Sequence, residues 1–357
     1  MRVSSAPGKL ILSGEHAVVY GNPALAVAVE QHVTVDILPN TSPTIRVTSA
    51  LFNEDLVLTS EDIAKEHEKI IARYQEFLNG QRSIQTVLSS PEQLIIATLY
   101  LALTHCRVVN PAIHITLDST MSPGAGLGSS AATILSLLLG VCDYLTHTLT
   151  QEEAFELALH AENLQHGKSS GLDIYLSLAG GCQWIEHQQL HPRKMTSLPL
   201  YIAYSGQPIC STGECVSHVK PLLENHPDLL QQFSHVTHHI NDACEQDDYE
   251  QLKQGLRENH RLLCQIGVVP TRVQAMISKI EQLGDAAKIC GAGAIRGDHA
   301  GYILVLCQDN PTIKYDFLSN ISKLNINFKG ASPVKPHSSI DKSTLTLSRQ
   351  RERGHER

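Results

Sequence analysis

The sequence has few of the features that would place it in several broad classes of protein. Only 5% of its 357 residues are aromatic, with a single tryptophan. No apolar run approaches the roughly 20 residues of a membrane-spanning helix, and the richest run is Ile134–Val141. The amino terminus, Met-Arg-Val-Ser-Ser-Ala-Pro-Gly, carries no apolar signal region. The sequence therefore indicates neither a membrane protein nor an exported one, and we expect a cytoplasmic location.

The chain also lacks the usual spacings of disulfide cysteines and metal ligands. Its nine cysteines are odd in number and none forms a CxxC pair, which is typical of reduced thiols in a cytoplasm. Its nineteen histidines are dispersed, and no HExxH motif occurs. These spacings give no indication of a structural metal site.

Positive charge is in the minority. The 28 lysines and arginines are outnumbered by 36 aspartates and glutamates, which gives a formal net charge of −8. Because nucleic acid binding needs many cations to neutralise phosphates, this balance argues against nucleic acid as the main partner. The hydrophobic content of 42% is that of an ordinary globular protein. At 357 residues the chain is long enough for two domains.

Three familiar phosphate-binding signatures are missing. Gly167-Lys168-Ser169 could end a Walker A loop, but position 162 is glutamate where that loop needs glycine. The glycines at 124–128 and 291–293 have the wrong spacing for a dinucleotide fingerprint. Neither the HRD nor the DFG motif of protein kinases occurs.

The most informative stretch that is present is Ser-Pro-Gly-Ala-Gly-Leu-Gly-Ser-Ser-Ala-Ala at 122–132. Glycines let backbone N–H groups turn towards a ligand, and the start of a helix adds the positive end of its dipole. A flexible surface turn is the alternative for Gly-Ala-Gly alone. The loop, the hydroxyl pair and the following apolar run together favour a phosphate site.

Periodicity predicts mixed elements without regular βαβ alternation, so we expect an α+β fold. A strand at 112–120 precedes the glycine loop, and a helix follows it to about 146. Thr150 and Glu153 form a capping box for a helix that ends at Gly167.

The later part of the chain changes in character. We expect helices over 228–244 and from a cap formed by Asp247 and Glu250 to about Ile266, and a third that starts at Pro270. Strands are expected near 287–290 and 302–306. The polar residues 335–357 resemble a disordered tail.

A phosphotransferase needs a loop for the donor, oxygen ligands for a divalent metal, a cation and a group that orients the acceptor. The candidates that supply these parts are Lys9, Glu15, His16, Ser129, Ser130, Glu162 and Asp173. Each also has an ordinary alternative, such as a solvated lysine, a turn cap, an exposed helix face or a helix cap.

Residues 6–21, Ala-Pro-Gly-Lys-Leu-Ile-Leu-Ser-Gly-Glu-His-Ala-Val-Val-Tyr-Gly, and 123–132 resemble the first two motifs of the GHMP small-molecule kinases. The segment Gly14–Gly21 resembles in particular the branch that phosphorylates mevalonate, and residues 166–173 resemble its segment with the catalytic aspartate. Asn259–Val268 resembles a later helical stretch, and Gly291-Ala-Gly293 begins a third motif. The resemblance covers about residues 3–310.

This resemblance implies a two-domain α+β fold with a ribosomal-protein-S5-like N-terminal domain at 1–194 and a ferredoxin-like C-terminal domain at 195–334. It implies an ATP- and Mg²⁺-dependent kinase that acts on the 5-hydroxyl of mevalonate, a step towards isoprenoid precursors. No nucleic acid or membrane partner is implied, and a homodimer is compatible with it.

The resemblance also assigns roles to single residues. Asp173 would be the base, with Lys9 beside it, and Glu15 and His16 would shape the acceptor side. Ser130 and Glu162 would hold magnesium. The nucleotide would lie against Ser119, Gly124, Ala125, Gly126, Leu127, Gly128, Ser129 and Ser130.

Three departures put the identity of the substrate, but not the fold, in question. After Gly293, the longer and charged loop 294–301 replaces a glycine run. This loop either alters closure of the site, brings Arg296 to a phosphate or is a tolerated insertion. Lys168 and Ser169 replace a small polar residue and a proline. Two other functions stay open: a sister kinase for phosphomevalonate or another small alcohol, and an inactive nucleotide-binding regulator.

Overall fold

Two long strands at the start of the chain organise the first sheet. The computed structural model describes residues 2–333 apart from 51, 53, 123, 188 and 319, so the expected tail at 335–357 lies outside the described residues. Strand β1 (Arg2–Ser13) pairs antiparallel with β2 (Ala24–Pro39). Valine and isoleucine in β2 alternate with polar residues, and the apolar set is buried, as a strand with one face on the core requires.

The first sheet has seven strands in the described part of the chain, in the order β4-β3-β5-β2-β6-β7, with β1 paired to β2. The pair β3–β5 is parallel, and the other pairs are antiparallel. The remaining strands are β3 (Ile45–Ser49), β4 (Leu56–Leu58), β5 (Ile113–Ser119), β6 (Cys182–Glu186) and β7 (Gln189–Arg193).

Helices cover one face of this sheet around a central apolar helix. They are α1 (Ser60–Leu78), α2 (Pro91–Cys106), α3 (Ser129–Tyr144), α4 (Gln151–His166) and α5 (Leu172–Ala179). Every residue from Ala131 to Cys142 of α3 is buried, and α3 packs against β1, β2, α2, α4 and α5. Because this helix is apolar all round, it must lie in the core, and this places its N-terminal end at a fixed point beside β1.

The second sheet has the order β11-β8-β10-β9 and is antiparallel throughout. Its strands are β8 (Leu200–Tyr204), β9 (Ala286–Ile289), β10 (Tyr302–Leu306) and β11 (Ser322–Lys323). The helices of this half are α6 (Thr212–Asn225), α7 (Pro227–Gln246), α8 (Tyr249–Gln265), α9 (Thr271–Gln282) and the short α10 (Pro311–Lys314).

The two halves are joined by more than the chain itself. Helix α7 packs against β1 and β2, and the segment after β11 returns to the first sheet. There Ser332 exchanges backbone hydrogen bonds with Ser5, and Asn327 N donates to Ala28 O. The α+β fold with two sheets agrees with the expectation, and the domain boundary at 194/195 stays a prediction.

One expected helix start is wrong by a single residue. The N-cap of α8 is Asp248, whose carboxylate accepts a hydrogen bond from Gln251 N at 3.0 Å. Asp247 instead ends α7 in the left-handed region, with φ of 54°, and its carboxylate accepts a hydrogen bond from Ser197 N. One aspartate can end α7 and the next can cap α8, because aspartate adopts the left-handed backbone conformation more readily than most residues and is also a favourable N-cap.

The other local predictions agree with the structure. Strand β5, the helix after the glycine loop, the α7 and α9 helices, and strands β9 and β10 lie where the sequence places them. Within the described residues, no helix combines the length and apolar character needed to cross a membrane.

The capping box at the start of α4 provides a test of local stability. Thr150 Oγ1 accepts a hydrogen bond from Glu153 N, and Glu153 Oε2 accepts one from Thr150 N. We expect Thr150→Ala to lower the free energy of unfolding by about 1 kcal/mol in urea denaturation. Thr150→Ser keeps the hydroxyl and serves as the control. Equal losses in both variants would contradict the role of this cap.

Candidate active site

The glycine loop forms a tight backbone turn that leads directly into α3. Gly124, Gly126 and Gly128 have φ of 68°, 96° and 68°, in the region that L-residues rarely adopt. Gly128 is the N-cap of α3, so the loop ends at the positive end of a helix. Ser129 and Ser130, in the first turn, are half-buried. This geometry fits an anion-binding loop.

Strand β1 and helix α5 place a cation and a carboxylate beside this loop. Lys9 Nζ lies 3.3 Å from Asp173 Oδ1, and Lys9 N donates to Leu127 O at 2.8 Å. A Cβ at Gly128 would lie 2.9 Å from Lys9 Cγ and 3.4 Å from Asp173 Oδ2. The structure therefore brings Lys9, Asp173 and the glycine loop together, and the missing side chain of Gly128 is what lets them meet.

Glu162, in the second half of α4, is a buried carboxylate with a hydroxyl partner. It is 2% exposed, and Ser169 Oγ donates a hydrogen bond to its Oε2. Burial raises the pKa of the Glu162 carboxyl to about 7. The charge of Asp173 adds to this rise, and the hydrogen bond from Ser169 opposes it. A divalent cation at this carboxylate would offset the cost of its burial.

Glu15 forms an ion pair with Lys288 in the interior. Glu15 follows β1, Lys288 lies on β9, and their side chains are 1% and 0% exposed. Burial raises the pKa of the Glu15 carboxyl, while the charge and hydrogen bond of Lys288 act in the opposite direction. Among the described side chains, Glu15 Oε2 is a buried atom without a hydrogen-bond partner. The pair joins the two halves of the molecule and leaves one carboxylate oxygen free to accept a hydrogen bond.

His16 is held as a neutral ring in an unusual backbone conformation. Its φ is 63°, and its Nε2 lies 3.1 Å from Ala292 O. Burial lowers the pKa of the His16 imidazole to about 4, although the Ala292 carbonyl opposes the change. A neutral ring that donates from Nε2 to a carbonyl leaves Nδ1 as an acceptor. Nδ1 is a buried atom without a partner in the described part of the chain.

The third glycine motif packs directly on the first glycine loop. A Cβ at Gly126 would lie 2.8 Å from Cys290 O, and one at Gly301 would lie 2.4 Å from Ala125 O. Tyr302 N also donates to Ala125 O at 3.2 Å. Both ends of the loop 291–301 therefore touch the predicted phosphate loop, although its middle differs from the family's pattern.

The charged middle of that loop is tied to the start of α6. Arg296 Nη2 donates to Glu214 Oε1 at 2.8 Å, and the Arg296 side chain is 56% exposed. Ala294 N donates to Val268 O at 2.9 Å. Arg296 therefore has a carboxylate partner. This favours the interpretation of the loop as a tolerated insertion over a role for Arg296 as a phosphate ligand.

Ser119 lies at the end of β5, where the chain turns towards the glycine loop. Its Oγ accepts a hydrogen bond from Met121 N and donates one to Met121 O, both at 3.0 Å. The described contacts of Ser119 thus stabilise the turn, and its predicted place near the nucleotide stays a prediction.

Sequence reasoning missed two polar residues of this site. Lys288 is a single lysine in the apolar run Ala286–Cys290, directly before Gly291, and that position was a usable signal. Ser169 appeared only as a departure from the family's pattern, yet it donates to Glu162 and accepts a hydrogen bond from Gly171 N at 3.0 Å. Its partner is not evident without the fold.

Comparisons with known proteins identify the family of this chain. Sequence models of the GHMP kinases N terminal domain and the GHMP kinases C terminal match residues 93–181 and 240–295. The mevalonate kinase of Thermococcus gammatolerans is 30% identical over 313 residues, which are 82% of this chain and 87% of that protein. This chain belongs to the GHMP kinase family. The resemblance seen in its motifs is confirmed, and family membership makes it an ATP-dependent kinase.

Two further comparisons extend this result. The mevalonate kinase of Pyrococcus horikoshii is 28% identical over 310 residues, 82% of this GHMP kinase and 85% of that protein. The crystal structure of the Methanococcus jannaschii mevalonate kinase matches with a TM-score of 0.75 at 20% identity, over 91% of this chain and 98% of that one. The latter comparison confirms the two-domain GHMP kinase fold.

The buried pair can be tested by removing one charge or both. Lys288→Met leaves Glu15 buried without its cation, and we expect a loss of about 3–5 kcal/mol in the free energy of unfolding. The variant with both Lys288→Met and Glu15→Gln removes both charges and should recover most of that loss. If the double variant is as unstable as the single one in urea denaturation, the two groups are not coupled.

The raised pKa of Glu162 predicts a pH-dependent stability. From about 4.5, the ordinary value, to about 7, the folded protein holds a proton that the unfolded chain has lost. The free energy of unfolding therefore falls as the pH rises through this window. We expect Glu162→Gln, which stays neutral, to match the wild type at pH 5 and exceed it at pH 8 by on the order of 1–3 kcal/mol.

Thermal or urea unfolding at both pH values measures this difference. Glu156→Gln, on an exposed position of the same helix, is the matched control. A difference between Glu162→Gln and wild type that is the same at pH 5 and pH 8 would refute the assignment.

Proposed function

We propose that this GHMP kinase transfers the γ-phosphate of ATP to the 5-hydroxyl of mevalonate and forms 5-phosphomevalonate and ADP. The ion pair of Asp173 with Lys9, at 3.3 Å beside Gly128, carries this proposal. It puts a carboxylate and a cation where the glycine loop would present a phosphate. The relatives from Thermococcus gammatolerans and Pyrococcus horikoshii, both mevalonate kinases, support mevalonate as the acceptor.

In this proposal the donor phosphates lie against the loop at 124–130. The positive φ angles of its glycines turn backbone N–H groups inward, and the start of α3 adds its dipole. The nucleotide then extends towards Ser119 at the end of β5. The close packing of Gly126 on Cys290 would keep this loop rigid before the nucleotide binds.

Magnesium would be held by Ser130 and Glu162, which lie on the neighbouring helices α3 and α4. The fit rests on the buried Glu162 carboxylate, whose negative charge is disfavoured until a cation is present. When bound, magnesium neutralises charge on the transferred phosphate. Ser169 orients the carboxylate through its hydrogen bond, so one oxygen of Glu162 is fixed in place.

Transfer requires the acceptor hydroxyl to lose its proton as its oxygen attacks the γ-phosphorus. Asp173 accepts that proton, and the bond between the γ-phosphorus and the bridging oxygen breaks to release ADP. Lys9 stabilises the negative charge that develops on the transferred group. The left-handed Gly171 caps α5 and sets the direction of Asp173 in its first turn.

The acceptor would lie along the segment Ser13–His16. Three buried acceptor atoms are without partners among the described side chains: Glu15 Oε2, His16 Nδ1 and Asn259 Oδ1. Asn259 belongs to the same segment because its Nδ2 donates to Ser13 Oγ at 3.2 Å. A substrate that brings hydroxyl donors, such as mevalonate, would satisfy such acceptors.

Two further expectations stay predictions. A cytoplasmic location is favoured by the nine cysteines, all of which are free thiols. Assembly as a homodimer can be measured by light scattering.

The proposal is tested with a panel of acceptors and coupled detection of ADP. We expect turnover with ATP, magnesium and mevalonate, and little with phosphomevalonate or other small alcohols. Preference for another alcohol would assign the chain to a sister kinase. ATP binding without turnover on any alcohol would make it a nucleotide-binding regulator.

Asp173→Asn tests the role of the carboxylate. We expect kcat to fall by roughly 10²–10⁴-fold, the usual contribution of a general base, with an unchanged circular dichroism spectrum. Asp228→Asn, an exposed carboxylate on α7, is the matched control and should keep full activity. Full activity of Asp173→Asn would remove Asp173 from the mechanism.

A further inference from the structure

Three ligand-bearing side chains meet at the end of the helical layer where α2 ends and α4 begins. His105 lies in the last turn of α2, His147 follows α3 and Glu153 lies in the first turn of α4. One ligand atom from each lies within 4.8 Å of the other two. The two imidazole Nε2 atoms are 3.0 Å apart.

We propose that His105, His147 and Glu153 bind one divalent transition-metal ion of the zinc type. Two imidazoles and one carboxylate are a known ligand set for zinc, with water in the fourth position. Two nitrogens bound tetrahedrally at roughly 2.0–2.1 Å lie about 3.3 Å apart, so the two rings need little movement. This site is independent of the proposed kinase reaction.

Contacts from the surroundings hold two of the three ligand residues in place. His147 N donates to Cys142 O at 2.8 Å, which fixes the turn after α3. Glu153 Oε2 accepts a hydrogen bond from Thr150 N at 2.8 Å, and this capping contact uses only one of its two oxygens. The other oxygen can therefore coordinate a metal while the cap stays intact. The contact to the Glu153 side chain is of the kind that orients a metal ligand before binding.

A proton is the competing occupant of this position. An N–H···N hydrogen bond between the two rings would also account for the 3.0 Å separation, and the rings meet edge to face at 82°. With that hydrogen bond Glu153 serves only as part of the capping box of α4, whereas a cation would use all three groups. His147 is exposed and half-exposed His105 and Glu153 flank it, so an ion can reach the site from solvent.

The position predicts what the metal would do. It would connect α2, the turn between α3 and α4, and α4 itself. His105 and His147, which it would join, are 42 residues apart in sequence. Glu162 lies in the second half of the same α4, at least two turns of about 5.4 Å away. We therefore expect the ion to stabilise this helical layer and to leave phosphoryl transfer unchanged.

The experiment uses the full chain without a histidine tag, stripped of metal by a chelator. Zinc chloride is titrated in competition with a chromogenic zinc indicator, and cobalt(II) is added separately to record its visible absorption. We expect one site with micromolar or tighter affinity and a cobalt spectrum typical of four-coordinate nitrogen and oxygen ligation. His105→Gln and His147→Gln should each weaken zinc binding at least tenfold.

Matched variants separate this site from others. Glu153→Gln preserves the capping box, because glutamine also serves at that position, and should weaken zinc binding without loss of fold. His226→Gln, at an exposed histidine near Asp228, should leave the affinity unchanged. Glu162→Gln should do the same, since it removes the proposed magnesium ligand instead.

Either of two results would overturn the proposal. If the wild type binds no zinc in this range, or if His105→Gln and His147→Gln bind it as tightly as the wild type, the two rings share a proton and no metal site exists. A rise in melting temperature with zinc that occurs in the wild type but not in His147→Gln would support the structural role.

Discussion

The close packing of two glycine loops is the constraint on which the site depends. Gly126 approaches the Cys290 carbonyl so closely that a Cβ would lie 2.8 Å from the oxygen, and no larger residue fits without moving backbone. This contact joins the glycine loop, which follows β5 of the first sheet, to the end of β9 in the second sheet. Lys288 of β9 lies two residues before Cys290, and the backbone N–H of Lys9 in β1 donates to Leu127 O, so both ion pairs lie beside this contact.

Two buried carboxylates near these loops are managed in different ways. Glu15 has a buried lysine as its partner, whereas Glu162 has the hydroxyl of Ser169 and lies near the charge of Asp173. Burial raises the pKa of both carboxyls, but only Glu162 lacks a direct ion-pair partner among the described residues. This difference is the reason that the proposed magnesium site uses Glu162 and not Glu15.

Local signals in the sequence placed the predicted elements correctly, apart from one helix start. The capping box at Thr150, the strand at β5 and the apolar run of α3 all depend on neighbours in sequence, and the structure agrees with each. The predicted start of α8 was wrong by one residue because either of two adjacent aspartates can cap a helix. The hydrogen bond from Ser197 N to the Asp247 carboxylate leaves Asp248 as the cap. The His105–His147 contact had no local signal at all.

The sequence by itself determined the family, the α+β character and the candidate groups Lys9, Glu15, Glu162 and Asp173, since these lie in short motifs whose chemistry is local. Only the tertiary structure decided which groups meet. Lys288 reaches Glu15, Ser169 reaches Glu162 and Arg296 reaches Glu214 through contacts between separate elements. Such contacts arise from burial of apolar faces over the whole chain, and no spacing along the sequence encodes them.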